Sequence, residues 1–258
     1  MPTTLVSFLG RGRKSRPDDR RSDYAPTTYR FVMPDGTPFD QSTSLFGFGL
    51  LNYLRQTGKQ VDRWIVLGTS GSLWSELHQV LPDPNACAED YFQMDDKVID
   101  MTVTEEDLRN WQDTLNRHAE DIELTLELTG MALDNQSQQR VARALFDNVP
   151  RSNELVFDIS HGFRHQPVIA TFIVSLMRWT HNVRTVSFYS GVYEARENDI
   201  TPVIELPICQ QLVEATEATA ILETTGNYEP VAAFLGRDAR LAWFLEDTNQ
   251  LAQGATIC

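Results

Sequence analysis

Residues 160–164, Ser-His-Gly-Phe-Arg, place a hydroxyl, an imidazole, a glycine and a guanidinium within five positions. They follow an apolar run (Leu155, Val156, Phe157, Ile159) and open a helix-like segment over 163–179, so the sequence reads strand, tight turn, helix. In open α/β sheets such a junction holds ligands at the strand's carboxyl end. Backbone N–H groups at a helix start favour anions, and Arg164 adds a fixed positive charge. Two more apolar strands end in related turns: residues 3–9 run into Gly10-Arg11-Gly12-Arg13-Lys14, and 62–67 into Gly68-Thr69-Ser70-Gly71-Ser72. If these three strands are neighbours, their turns converge on one edge and offer a site for an anion or a nucleotide.

Each turn taken alone has a plainer reading. The run 10–14 lacks the Walker spacing and a third glycine, and reads equally as a mobile basic loop. The run 68–72 could be a helix N-cap and nothing more. Asp158, inside an apolar strand, is expected to be buried and bonded to the neighbouring turn N–H groups or to Arg164, holding the turn in shape. His161 could act as a general acid or base, stack on a nucleobase, or simply be hydrogen-bonded locally. His78, His118, His165 and His181 have no carboxylate partner at useful spacing and are assigned no role. A Ser-His-Asp hydrolase is rejected: 68–72 nearly mimics the nucleophile elbow but misplaces its glycines, and Asp158 and His161 lie too close for separate roles. With no H-E-x-x-H, C-x-x-C or D-x-D cluster, neither a metal nor a cofactor is expected.

The elements that must position these turns are readable along the chain. After the first turn comes a long polar loop to about residue 27, then a hairpin of 28–33 and 37–41 around Asp35-Gly36. Apolar spacing predicts helices over 44–56 and 73–80, and 82–101 reads as irregular and acidic. Thr104 with Asp107 begins a capped segment, and Leu108, Trp111, Leu115, Ile122 and Leu126 predict one or two helices up to 128. A helix over 137–146 precedes the central junction. A fourth buried strand follows at 183–188, then a terminal hairpin of 191–194 and 201–206 around Asn198-Asp199, and helices over 208–222, 228–235 and 239–251. The alternation predicts an α/β, Rossmann-like, mostly parallel sheet with helices on both faces, a terminal β-hairpin and a small C-terminal helical appendage. The expected division is 1–206 for the ligand-sensing domain and 207–258 for the appendage.

Composition narrows the function classes. The chain of 258 residues carries a net charge of −14, which argues against general binding of long nucleic acid. Between Arg11 and Arg30, however, seven basic residues face three acidic ones, a segment able to attract a compact polyanion or to serve only as a solvated loop. No apolar stretch approaches the roughly 20 residues that span a bilayer, and the N-terminal run is too short for a signal peptide. Three scattered cysteines (Cys87, Cys209, Cys258) lack metal spacing and predict reduced thiols in a cytoplasmic protein.

Four stretches together resemble the CRISPR-associated Rossmann-fold sensor domains, the CARF family: SFLGRG at 7–12, IVLGTSGSLW at 65–74, FDISHGFRHQP at 157–167, and FYSGVYEA at 188–195 before TPVIEL at 201–206. The resemblance spans roughly residues 3–206. It implies a homodimer with a two-fold cleft that binds cyclic oligoadenylate, the tetra-adenylate in preference to the hexa-adenylate, in type III CRISPR antiviral signalling. It places Gly10, Arg11 and Gly12 along the cleft, Thr69, Ser70 and Ser72 on phosphate or ribose, and Ser160, His161, Gly162, Phe163 and Arg164 around the ring. Ser160 stands where the family usually has threonine, which keeps the hydroxyl. The basic insertion after Gly12 is longer than the pattern and reads as a lid. Relatives generally continue into a helical ribonuclease domain with an R-x(4–6)-H pair, yet no histidine follows Pro207 here. This chain is therefore not expected to be that ribonuclease. A metal-independent ring nuclease in the same cleft stays open, with Ser160, His161, Arg164, Arg11 and Lys14 as candidates. So does an unrelated α/β enzyme acting on a nucleotide or sugar phosphate.

Overall fold

The first strand, β1 (Thr3–Leu9), is buried at every position, because the sheet is covered on both sides there. The remaining strands are β2 (Thr27–Val32), β3 (Pro38–Thr43), β4 (Val61–Gly68), β5 (Glu123–Leu128), β6 (Glu154–Asp158), β7 (Val186–Gly191) and β8 (Ile200–Glu205). In the computed structural model, which describes residues 2–12, 22–151 and 154–237, they form one sheet in the order β3-β2-β8-β7-β6-β1-β4-β5. The run β7-β6-β1-β4-β5 is parallel throughout. Antiparallel pairing is confined to the β2–β3 hairpin and to β8 against β7, while β8 also pairs parallel with β2. This is the α/β Rossmann-like architecture expected from the alternation of elements.

Side-chain alternation divides the core into two layers. Leu5 and Leu9 of β1, Trp64 and Val66 of β4, and Leu124 and Leu126 of β5 join one apolar cluster. Helices α1 (Phe46–Gln56), α2 (Ala88–Asp100) and α3 (Glu105–His118) cover it through Leu50, Leu54, Met94, Val98, Trp111 and Leu115. The intervening residues, Val6, Phe8, Ile65, Leu67 and Phe157, are equally buried and point to the opposite face. That face is served by α4 (Asn135–Asn148) and α5 (His165–Thr180), which pack together.

Three segments differ from the sequence expectation. The terminal hairpin uses β7 as its first strand, paired with β8 through residues 189–191, whereas Tyr193 and Glu194, expected within that strand, lie in a short 3-10 turn (Tyr193–Ala195). The helix beginning at Thr104 is sealed by a reciprocal capping box with Asp107, but it ends at His118. The residues up to Leu128 form a strand instead, since Glu-Leu-Thr-Leu-Glu-Leu alternates with period two and pairs with β4 at the sheet edge. Residues 82–101 are not irregular. Asp83 caps a short turn beginning at Pro84, and α2 follows, burying Met94, Asp95 and Val98. Its acidic surface hides a helical spacing that tertiary packing rewards.

The chain divides after Leu206 into two compact units. The second unit contains α6 (Pro207–Thr225) and α7 (Glu229–Arg237), which share a small cluster of Ala215, Ala218, Val231 and Phe234. The helix expected over 239–251 lies outside the described residues. Among those described, no helix is long and apolar enough to cross a membrane.

Candidate functional site

The strands β6, β1 and β4 are adjacent and parallel, so the turns leaving them meet at one edge of the sheet. Their contact is close. A Cβ on Gly10 would fall 2.0 Å from the His161 carbonyl oxygen, far inside van der Waals contact, so only glycine lets the first turn lie against the third. The Gly10 carbonyl accepts from the Leu73 N–H at 3.0 Å, which fastens the first turn to the second. Ser72 lies across the same junction, its hydroxyl donating to the Leu9 carbonyl at 2.6 Å and accepting from the Thr69 N–H at 2.8 Å.

That arrangement revises the expected role of Ser72. It is 1% exposed and its hydroxyl is spent on backbone, so it shapes the turn and cannot reach phosphate or ribose. Thr69, half-buried, sets its hydroxyl 3.2 Å from that of Ser72 and accepts from the Gly71 N–H at 3.3 Å. Ser70, at the tip, is half-buried. Trp74 locks the turn from behind by donating to the Thr69 carbonyl at 2.8 Å.

Beneath the third turn lies a buried polar network. Asp158, 1% exposed, accepts from the Ser160 N–H at 2.8 Å and from the hydroxyls of Ser7 and Ser160. Ser160 in turn accepts from the Gly191 N–H at 2.9 Å, and Ser7 accepts from the Trp64 indole at 2.9 Å. Burial pushes the Asp158 carboxyl up to about 6, against the pull of its hydrogen bonds. The expected anchoring of the turn by Asp158 is present, supplied by the turn N–H and two hydroxyls. Arg164 takes no part, because it is exposed. Ser160 therefore uses its hydroxyl to hold β6 to β7, which weakens its candidacy as a ligand or catalytic group.

His161 is half-buried and stacks on Tyr24, ring centroids 3.9 Å apart and planes 17° from parallel. Its Nε2 accepts from the Phe46 N–H at 3.4 Å, which leaves the proton of the neutral ring on Nδ1. Loss of solvation lowers its pKa to about 4, so the imidazole is neutral at pH 7 and a poor general base there. One face is already occupied by Tyr24, leaving at most the other for a nucleobase.

Tyr24 is the residue that sequence reasoning missed. Its hydroxyl donates to the Gly10 carbonyl at 2.8 Å while its ring covers His161, so one side chain clamps the first turn to the third. Nothing in its neighbours (Asp23, Ala25, Pro26) marks it out, and only the fold brings it to the site.

What remains open to a ligand is a smaller set than the turns promised. Gly162 is half-buried, packed on Phe8. Phe163 is exposed, its backbone N–H bonded to Gln166 at 3.0 Å. Arg164, the N-cap of α5, and Arg11 are both exposed, and Gly12 is half-buried beside Leu73. Arg11 and Arg164 are thus both exposed and belong to turns that leave neighbouring strands at this edge. Lys14 and most of the basic insertion lie outside the described residues.

No family model matches the chain. In an alignment 247 residues long that covers 88% of the chain, it is 24% identical to the CRISPR-associated protein MJ1674 of Methanocaldococcus jannaschii. The likeness supports a CRISPR-associated protein. The chain spans 37% of that relative's length.

Proposed function

We propose that residues 3–206 form a cyclic oligoadenylate sensor of type III CRISPR signalling, binding the ring across a homodimer. The observation that carries this reading is the adjacency of β6, β1 and β4, which brings Arg11, Arg164 and the start of α5 to one edge. A compact ring of phosphates suits such an edge, where guanidiniums and helix N–H groups act over a short range that a net charge of −14 does not cancel. The four motifs quoted above imply the same class of ligand by resemblance, and the distant CRISPR-associated relative supports a CRISPR-related role. Arg11 and Arg164 would hold phosphate, Ser70 and Thr69 would reach ribose or phosphate, and Phe163 would lie against a base. Residues from 207 onward would serve as a helical appendage to this sensor.

Binding is favoured over cleavage by the state of the candidate catalytic groups. Ser160 is committed to Gly191 and Asp158, and His161 is neutral with a lowered pKa. Cleavage in this cleft would have to rely on an in-line ribose 2′-hydroxyl and on Arg11 or Arg164 as charge stabilisers.

Calorimetric titration with cyclic tetra-adenylate and cyclic hexa-adenylate, followed by chromatography of the recovered nucleotide, tests the proposal. One intact ring per two chains, with the tetra-adenylate bound more tightly, is the expected result. Linear products would make the protein a ring nuclease. Absence of heat with both rings would remove the ligand assignment and leave a generic phosphate site.

A further inference from the structure

Four tyrosines are buried among the described residues: Tyr24, Tyr29, Tyr53 and Tyr189. A buried tyrosine ordinarily finds a partner for its hydroxyl, and three of these do. Tyr24 donates to the Gly10 carbonyl at 2.8 Å, Tyr53 donates to the Val32 carbonyl at 3.0 Å, and Tyr189 bonds to the Glu205 side chain. Tyr29 is the most buried of the four, 3% exposed, yet its hydroxyl makes no hydrogen bond among the described residues. No buried side-chain polar atom among them lacks a partner, so the unpartnered Tyr29 oxygen lies at the surface, in a narrow opening.

That opening is at the edge where the turns converge. β7 runs parallel to β6, while β8 and β2 run against it, so β2 begins where β6 and β7 end. Tyr29, third in β2, leans across β8 onto β7, where a Cβ on Gly191 would fall 2.7 Å from its ring. Gly191 is the residue whose N–H holds Ser160, so the Tyr29 ring ends beside the third turn. It stands edge-on to Phe46 at the start of α1, centroids 5.0 Å apart. Burial, with Asp158 and Tyr193 nearby, holds the hydroxyl's pKa well above its usual value, and the group stays a neutral phenol able to donate.

We infer that Tyr29 is a base-contacting residue of this site, its hydroxyl hydrogen-bonding a nucleobase of the bound ring and not a phosphate. The assignment deepens the ring-binding reading and rests on it. Two features of the neighbourhood select the base. The charged group acting on the hydroxyl is the Asp158 carboxyl, which at neutral pH repels a phosphate and leaves an uncharged heterocycle unopposed. The surroundings are also aromatic, with Phe46 beside Tyr29 and the Tyr24–His161 stack at the third turn. Flat aromatic faces with a free hydrogen-bonding group are what proteins use to read unpaired bases. The exposed guanidiniums of Arg11 and Arg164 are left for the phosphates. A phenylalanine would fill the space against Gly191 and Phe46 equally well, so the hydroxyl has no packing role to explain it.

The test compares Tyr29→Phe with Arg164→Ala in titrations of cyclic tetra-adenylate at several salt concentrations, with thermal midpoints measured alongside. Tyr29→Phe keeps the ring and strips only the hydroxyl, so its midpoint should stay within about 2 °C of wild type. Its affinity should fall roughly threefold to tenfold, the loss of one hydrogen bond. That factor should be the same at low and high salt, because no ion contact is lost. Arg164→Ala should instead flatten the salt dependence. Tyr53→Phe, whose hydroxyl is spent on Val32, should bind as the wild type does. Wild-type affinity in Tyr29→Phe, whatever its midpoint, overturns the inference. A flattened salt dependence in Tyr29→Phe would move the hydroxyl onto a phosphate and overturn the base contact. A wild type that takes up no ring discards the ring-binding reading and this contact with it. A wild type that binds beside a Tyr29→Phe protein that binds as tightly discards the contact alone.

Discussion

The turns after β4 and β6 look alike as sequence, each a hydroxyl-and-glycine run closing a buried strand, yet they are used differently. In 68–72 the polar atoms face inward. Ser72 bonds to the Leu9 carbonyl and the Thr69 N–H, and Trp74 holds the Thr69 carbonyl, so the turn is mainly a brace between β4 and β1. In 160–164 the inward bonding is completed by Asp158 and Ser160, and the last two residues, Phe163 and Arg164, face out. A hydroxyl near a strand end is therefore poor evidence of a ligand contact. The neighbouring strand's unsatisfied carbonyl or N–H group claims it first, and what projects beyond that first layer is available for binding.

The largest effect is expected where both turns depend on one residue. Gly10→Ala forces a methyl group onto the His161 carbonyl and should cost about 3 kcal/mol or more, read as a large drop in the denaturant midpoint or in soluble yield. A stable Gly10→Ala protein would mean that the turns are not interlocked. Next comes the brace itself. Ser72→Ala leaves the buried Thr69 N–H without an acceptor and takes a donor from Leu9, so unfolding should be easier by about 1–3 kcal/mol. Its affinity for the ring should stay within about twofold of wild type, since the hydroxyl never reaches solvent. Arg164→Ala should do the opposite. Stability should change by less than about 0.5 kcal/mol, as for most exposed positions, while ring affinity falls about tenfold to a hundredfold with the loss of a charge-assisted bond. If Ser72→Ala weakened binding as much as Arg164→Ala, the contrast between the two turns would disappear.

Much of this was legible before any coordinates. The three strand–turn junctions, the Asp35-Gly36 hairpin and the capping box at Thr104 follow from apolar periodicity and turn chemistry alone, whereas the convergence of the turns waited on the strand order. The edge strand β5 was not, because its alternation continues the helical spacing of Trp111 and Leu115 closely enough to pass for another turn of helix. The direction in which a hydroxyl points was not legible either. Ser72 and Ser70 are two positions apart and of one type, and only the register of β1 against β4, Leu9 opposite Gly68, decides which of them is consumed. Tyr24 was hidden for a similar reason, since its stack on His161 joins segments far apart in the chain.

The smallest change is expected in the pH dependence of the wild type, and this dependence isolates the third turn, because the run 68–72 contains no titratable side chain. Asp158, raised from 3.8 to about 6, contributes stability that is full below its unfolded value and is lost as pH rises through 6. His161, lowered from 6.5 to about 4, contributes stability that is full above its unfolded value and is lost as pH falls through 4. Each contribution is on the order of 3 kcal/mol, and across pH 4–6.5 they run in opposite directions. Their sum in the wild type should therefore change by less than about 1 kcal/mol over that window. Removing one partner exposes the other. Relative to wild type, the stability of Asp158→Asn should rise with pH between 4 and 6.5, and that of His161→Gln should fall, both read from denaturant midpoints at a series of pH values. Parallel profiles for all three proteins would show that neither group is buried as tightly as the network beneath the turn requires.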